Sequence, residues 1–400
     1  MSKNYLRPIK ILHDEEGKIA TPSKKNNRKF QLLGLFFLLV IAVIIWSFFS
    51  SSSSVFNYVF SQGENLKTSE GRVNVLLLGI AGGTHEGALL TDSIIVASYN
   101  VRTRQAMLIS VPRDLWLDSI HEKVNAAYEV GLSNKNGGNG LKFAEDKIDD
   151  ILGIPIHYGV RLDFNGFNKA MDQIDGVDIE VSRTFDDYMY PKEGAENDSC
   201  GLSEKEVELD ATNAAILHMQ AGKRKVWVRS DDKVATEAAD FGCRFEHIHF
   251  DKGTTHMDGT TALKFVRSRQ GTNGEGSDFA RSKRQQLVIE AFRKKTLSLD
   301  TLSNPAKIAG LISAFGSSFE TDIPATKFLE FYMLVKNMQE TKNIVLGDLG
   351  NGQSVLVNPS SGDYGGSWVL IPPNNDLTPI KEYIKKQLSD QEASASTVQK

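Results

Sequence analysis

Only two cysteines, Cys200 and Cys243, occur in 400 residues, and neither has the short spacing to a second ligand that a zinc finger or ribbon requires. No Walker GK[ST] sequence and no GxGxxG is present, so the turn Gly79-Ile80-Ala81-Gly82-Gly83 carries no nucleotide-binding fingerprint and is accounted for by a tight turn. No internal repeat is visible, which sets solenoids and propellers aside. Nor is there a basic excess. The formal charge is −4, and residues 1–29 carry eight Lys/Arg against three Asp/Glu, which leaves −9 for the remaining 371. An acidic body of this kind offers no general face to nucleic acid.

One long apolar run does exist. Phe30–Phe49 contains no charge, and Gln31 is its one strongly polar residue. Twenty helical residues span roughly 30 Å, the hydrocarbon thickness of a bilayer. A signal peptide has a shorter apolar stretch and a small-residue cleavage site, whereas Ser50–Ser54 follows here, so a retained anchor is expected. Lys24, Lys25, Arg28 and Lys29 flank the run on one side, and the next cation beyond it is Lys67. The positive-inside rule then puts the tail in the cytoplasm and the bulk of the chain outside. In an oxidising compartment Cys200 and Cys243 could close a loop of about forty residues, stabilising by roughly 3–4 kcal/mol on the loop-entropy account. Two separately placed thiols are the other reading, because pairing requires geometry that a sequence does not carry.

Strands are expected at Val73–Leu78, Ser93–Tyr99 and Ala106–Val111, the last two forming a hairpin that turns near Arg102 or Thr103. Counting outward from that turn puts Asp92 beside Arg113. The pair reads either as a plain salt bridge or as a metal-binding carboxylate next to a phosphate-binding arginine. A helix at Phe143–Leu152, a strand then a helix over Arg161–Ile174, and a strand at Gly176–Val181 follow. Residues 182–247 read as an insertion with one helix at Val207–Gln220. Further on, Thr326–Glu340 reads as a helix, Asn343–Leu349, Ser354–Asn358 and Trp368–Ile371 as short strands, and Pro379–Leu388 as a closing helix, with 389–400 mobile.

The densest chemistry lies in Ala262–Phe292, which gathers Arg267, Arg269, Arg281 and Arg284 with Lys264 and Lys283 around a glycine-rich turn. Leu263–Arg269 alternates well enough for a strand, which would aim Arg267 and Arg269 at one face. Ser277 or Asp278 is placed to cap a helix from Phe279 to about Lys295, with Arg281 and Gln285 one turn apart. Fork-shaped donors and a helix N-terminus converging on one point suit an anion, and a pyrophosphate best. Taken singly, each arginine is more often a solvated surface charge.

With these residues laid out, the chain resembles the LytR–CpsA–Psr family of membrane-anchored cell-wall glycopolymer ligases. The similarity runs through VNVLLLGI (73–80), TDSIIV (91–96), ISVPRDLW (109–116), KVNAAY (123–128), DFNGF (163–167), DGVDIEV (175–181), DGTTALKFVRSR (258–269) and DFARSKRQQ (278–286). The resemblance implies a layered α-β-α sandwich, an α/β fold with a mixed central sheet, preceded by one N-terminal transmembrane helix. Its parts would be a tail (1–29), a span (30–49), a linker (50–70), a catalytic domain (71–300, with the insertion at about 182–247) and a C-terminal α/β extension (301–388).

The activity it implies is transfer of a glycopolymer from a polyprenyl pyrophosphate carrier to a peptidoglycan hydroxyl through a phosphodiester. Arg113, Arg267, Arg269, Arg281 and Gln285 would hold the pyrophosphate, and Asp92, with Asp114 as a second candidate, would bind Mg²⁺. The partners implied are the lipid-linked glycopolymer, peptidoglycan and the membrane. Two departures stand out: Ala81 and Leu90 occupy positions where the family commonly has an aspartate and an arginine. His85, Glu86, Asp114 and Asp278 are the substitutes at hand for the missing ligand. A hydrolase using water as acceptor, and a tethered binding protein without turnover, remain as alternatives.

Overall fold

The computed structural model describes residues 66–400 apart from 84–86, 196, 210–221, 232, 236–237, 299–300, 302–303, 305–306, 308–309, 311–317, 348–353 and 399–400. The expected membrane span at 30–49, and His85 and Glu86, lie outside the described residues. Among the described residues no helix is long and apolar enough to cross a membrane. The chain runs β1 (Arg72–Ile80), β2 (Thr91–Asn100), β3 (Gln105–Ser110), β4 (Trp116–Leu117), β5 (Glu122–Lys123), α1 (Ala127–Gly131), α2 (Gly140–Leu152), β6 (Tyr158–Asp163) and α3 (Phe164–Gln173). It continues through β7 (Val177–Val181), β8 (Phe185–Pro191), β9 (Ser203–Leu209), β10 (Gly222–Val228), β11 (Phe245–Phe250), β12 (Gly253–Met257), α4 (Gly259–Arg267) and α5 (Asp278–Thr296). The last elements are β13 (Phe319–Thr321), α6 (Phe328–Lys336), β14 (Glu340–Val345) and α7 (Thr378–Val398).

Six strands form the central sheet in the order β13-β6-β1-β2-β3-β14. It is mixed: β1 is parallel to β6 and β3 to β14, while β2 runs antiparallel to both β1 and β3. The β2–β3 hairpin turns where expected, because Asn100 Oδ1 accepts from the Arg102 and Thr103 amides and fixes the reversal. Period-two alternation then sorts the faces. Leu76, Leu78, Ile94, Val96, Met107 and Ile109 point into one core with Leu141, Ile148 and Ile151 of α2 and Ile380 and Ile384 of α7. The opposite face meets α5, whose Gln286 Nε2 donates to Ser110 Oγ (2.9 Å) and the Ile344 carbonyl (3.2 Å). Helices therefore cover both faces of the sheet, the layered α/β arrangement expected. A second core gathers α3, α4 and strands β7, β8, β11 and β12 around Phe185, Phe250 and Phe265.

Several expectations change. Leu263–Arg269 is not a strand: α4 begins at Gly259, capped by Asp258, whose carboxylate accepts from the Thr261 amide at 2.7 Å. Its buried residues Ala262 and Phe265 recur three apart, a helical period that outweighs the local alternation. Val207–Leu209 belongs to a strand, β9, paired with β10, while the rest of the expected helix at Val207–Gln220 lies outside the described residues. The pieces at 354–358 and 368–371 reduce to two isolated bridges, Val357 to Ile371 and Leu370 to Leu115.

Segments 319–321 and 340–345, expected in an extension packed on the core, supply the two edge strands of the central sheet. Residues 389–398, expected to be mobile, continue α7. There Gln391 is buried and donates to the Ala106 carbonyl, and Glu392 bonds Arg72 and Asn100. Cys200 and Cys243 form a disulfide, their Cα atoms 5.5 Å apart.

Candidate functional site

The site lies at the sheet edge where β1, β3, β6 and β14 end and β2 begins. The register of β1 on β2 jumps from Gly79↔Ser93 to Ile80↔Thr91, so Asp92 is the extra residue of a β-bulge. Bulges re-aim a side chain at a sheet's rim. Here the carboxylate meets Arg113, three residues further along the Ile95↔Ser110 register, with Nη1 2.6 Å from Asp92 Oδ1. Arg113 is held from behind by Asp114, whose oxygens are 3.5 Å from Arg113 Nε and 2.8 Å from Lys123 Nζ. Asp114 is 4% exposed and lies between the two cations, so it anchors Arg113 and Lys123 in place.

The facing wall is the first turns of α5. Ser277 caps the helix by accepting from the Ala280 amide at 3.1 Å. Asp278, Arg281 and Gln285 line a pocket with Asp92 and Arg113. Arg281 is 6% exposed and pairs with Asp278 at 2.8 Å. Burial lowers its pKa first; Asp278 and Asp92 pull it back up, and the guanidiniums of Arg269 and Arg113 push it down. Arg281 thus stands in the field of two further guanidiniums, of which Arg113 lines the same pocket. Arg113 Nε and Arg281 Nε are both buried without a hydrogen-bond acceptor. A buried N–H left in that state costs about 1–3 kcal/mol, which an anion in the pocket would offset.

Arg267 is placed differently. As the last residue of α4 it lies over the Phe164 ring at 4.4 Å and donates to Tyr190 Oη at 3.3 Å. Ser268 then turns to extended backbone and Arg269 is exposed, so the two arginines diverge where a strand would have aligned them. The structure thus brings Asp92, Arg113, Arg281 and Gln285 together in one pocket, leaves Arg269 exposed within electrostatic reach of Arg281, and sets Arg267 against an aromatic pair.

Two residues that the sequence reading did not single out hold this arrangement. Arg284, 2% exposed, donates to the carbonyls of Phe265 (2.7 Å), Ser268 (2.6 Å) and Glu275 (2.8 Å) and to the Glu275 carboxylate (2.8 Å). Asp187, 1% exposed, accepts through Oδ2 from Ser268 Oγ (2.7 Å) and the Arg269 and Gln270 amides (both 3.1 Å). Together they fix the turn that carries Arg269. An acid at an inward position of β8, and an arginine three residues after Arg281, were the available signals. Asp163, beside Ile80 at the end of β6, is a further carboxylate on this rim. Gly82, at φ +74°, lets the turn after β1 pass against it, since a Cβ there would meet the Asp163 Cβ at 2.8 Å.

The residues present fit a hard cation. Asp92 and Asp278 are each about one-third exposed and line the same pocket between two guanidiniums. Mg²⁺ is commonly held by one or two carboxylates, with water and phosphate oxygens completing the shell.

The chain is 22% identical over 327 residues to the polyisoprenyl-teichoic acid–peptidoglycan teichoic acid transferase TagU of Oceanobacillus iheyensis, covering 80% of this chain and 77% of that protein. It is 23% identical over 323 residues to the regulatory protein MsrR of Staphylococcus aureus, covering 79% and 75% respectively. Among solved structures, TagV of B. subtilis is similar at a TM-score of 0.49 and 20% identity, covering 80% of this chain and 99% of that one. A family model matches residues 47–361, well over half of the chain, and the protein belongs to the LytR_cpsA_psr family.

Proposed function

We propose that this protein is a membrane-anchored, extracytoplasmic phosphotransferase that moves a glycopolymer from a polyprenyl pyrophosphate carrier to peptidoglycan. The observation that carries the reading is the pocket in which Arg113 and Arg281 each hold a buried, unsatisfied Nε–H beside the Asp92 carboxylate. A diphosphate supplies the acceptors those groups lack, and fork-shaped donors match its oxygens. The name of TagU, a polyisoprenyl-teichoic acid–peptidoglycan transferase, points the same way, and the apolar run at Phe30–Phe49 supplies the anchor.

In the reaction, an acceptor hydroxyl oxygen bonds to the phosphorus next to the sugar. The bond from that phosphorus to the bridging oxygen breaks, polyprenyl phosphate leaves, and the hydroxyl proton passes to a carboxylate of the site. Phosphoryl transfer asks a protein mainly for positioning and charge neutralisation. Arg113 and Arg281 bind and orient the phosphates, Gln285 adds an amide donor one turn further along α5, and Arg269 adds charge at the mouth. Asp92 and Asp278 would hold Mg²⁺, which when bound neutralises phosphate charge as it develops.

A second reading rests on Ala81. With no acid at the end of β1, the protein would bind lipid pyrophosphate without turning it over. The deciding experiment incubates the full-length chain in detergent with a polyprenyl pyrophosphate oligosaccharide, Mg²⁺ and peptidoglycan fragments, and analyses the products by mass spectrometry. A phosphodiester-linked adduct that disappears with chelator supports the transferase. Free sugar phosphate alone would point to hydrolysis, and binding without any product to the second reading.

A further inference from the structure

We propose that the ribbon of β8 and β11 carries a transition-metal site of the zinc class, with Asp186, His247 and His249 as its ligands. The site lies where β8 and β11 pair, at the foot of the insertion and outside the arginine pocket. In β11 the buried residue Ile248 alternates with exposed His247 and His249, so both imidazoles stand on the outer face two residues apart. Asp186 is the cross-strand partner of His249. The strand period and the register therefore put all three groups on one patch without help from any loop.

The donor atoms converge. His247 Nε2 and His249 Nδ1 are each 2.8 Å from the same oxygen, Asp186 Oδ1, and all three donor atoms lie within 4.8 Å of one another. Zinc bonds of about 2.0–2.1 Å at tetrahedral angles place ligand atoms roughly 3.3 Å apart. An outward shift of about half an ångström by side chains on an open ribbon therefore makes room for the ion. Two imidazoles and one carboxylate are a borderline-soft set, which selects zinc-like ions over Mg²⁺ or Ca²⁺.

The surroundings are those of a ligand set. The far nitrogen of His249, Nε2, is 3.2 Å from Asp251 Oδ1, the carboxylate–histidine arrangement that commonly orients a metal-bound imidazole. The Tyr188 ring stacks on His247 at 4.3 Å with planes 7° apart and fixes that ring. Asp186 is fixed through its main chain, its amide donating to Thr272 Oγ1 and its carbonyl accepting from the Thr272 amide. As three protein ligands leave a fourth tetrahedral position, a water or a substrate oxygen completes the shell. The next residue, Asp187, is the one that clasps Ser268, Arg269 and Gln270, so an ion here braces the strand on which the arginine turn rests.

The test uses the full-length chain in detergent, free of any histidine tag and stripped with chelator, titrated with zinc chloride alone by calorimetry. One zinc per chain is expected, together with a zinc-dependent rise in Tm. His247→Ala and His249→Ala should each weaken binding by more than tenfold and remove the Tm rise. Asp251→Asn, which leaves all three ligands in place, should weaken it by about tenfold, the usual effect of losing a metal ligand's hydrogen-bond partner. Cobalt substitution should give the visible absorption of a tetrahedral site in the wild-type protein and not in the histidine variants. Absence of saturable zinc binding would overturn the proposal, as would equal zinc affinity in a His247→Ala/His249→Ala double variant whose circular dichroism matches wild type.

Discussion

Helices α2 and α5 flank the same sheet and are held to it by opposite means. The buried residues of α2 are mainly apolar, Leu141, Ala144, Ile148, Ile151 and Leu152, and it closes on Gly153 in the left-handed region that glycine adopts without strain. In α5 the buried residues are Arg281, Arg284, Gln285, Gln286 and Val288, a face that area burial alone cannot stabilise. Named hydrogen bonds hold it instead: Arg284 to three carbonyls and a carboxylate, Gln286 to Ser110 and Ile344, Ser277 at the cap. Arg281 is buried between them with its Nε–H unsatisfied. One helix is a packing element, and the other exchanges packing for a charged wall.

The comparison breaks most severely at Arg284. Arg284→Ala strips four acceptors of their donor and leaves the Glu275 carboxylate, 15% exposed, without its ion pair; losing one partner of a buried pair costs about 3–5 kcal/mol. Chemical denaturation should show a loss of that size, with transfer activity falling in whatever fraction stays folded. A loss within about 0.5 kcal/mol, the range of ordinary surface changes, would mean that Arg284 does not hold α5. In α2 the matching substitution, Ile148→Val, deletes one methylene from the core. It should cost only about 0.5–1.5 kcal/mol and leave activity per folded molecule unchanged.

The smallest and most selective effect is at Glu145, the one buried acid of α2. Burial first, and then the charge of Asp322, push its carboxyl up from 4.5 to about 7, against the pull of Lys142. The native state therefore keeps the proton to higher pH than the unfolded chain does. Stability is full below the unfolded value and is lost as pH rises through about 7. Glu145→Gln never ionises. Its Tm should match wild type near pH 4 and exceed it increasingly up to about pH 7; a Tm difference that does not vary with pH would contradict this.

The same contrast governs what could be read from the sequence. Strands β1, β2 and β3 were legible because each carries a short continuous apolar run, and the Asp92–Arg113 contact followed from counting outward from the turn. Helix α5 was legible from its cap at Ser277 and its spacing, without any apolar stripe. Leu263–Arg269 was misread as a strand because it alternates locally, while the deciding signals, the Asp258 cap and the Ala262–Phe265 spacing, begin further upstream. Asp187 and Arg284 stayed hidden because buried charges follow bonding partners, which no periodicity reports. Strand β9 had little apolar pattern to announce it: Ser203–Leu209 reads SEKEVEL. The disulfide and the two edge strands β13 and β14 are long-range pairings that propensity does not reach.

The central claim, that Arg113 and Arg281 grip one diphosphate, is tested most directly by a double-mutant cycle on transfer rate. Adduct formation by the full-length chain would be compared for wild type, Arg113→Ala, Arg281→Ala and the double variant, with folding checked by circular dichroism. Each single change should slow transfer by about 10²–10³-fold, the usual loss for removing one charge-stabilising donor. The double variant should lose clearly less than the product of the two, because residues that act on one group are not independent. Wild-type rates in either single variant, or strictly multiplicative losses in the double, would contradict the account.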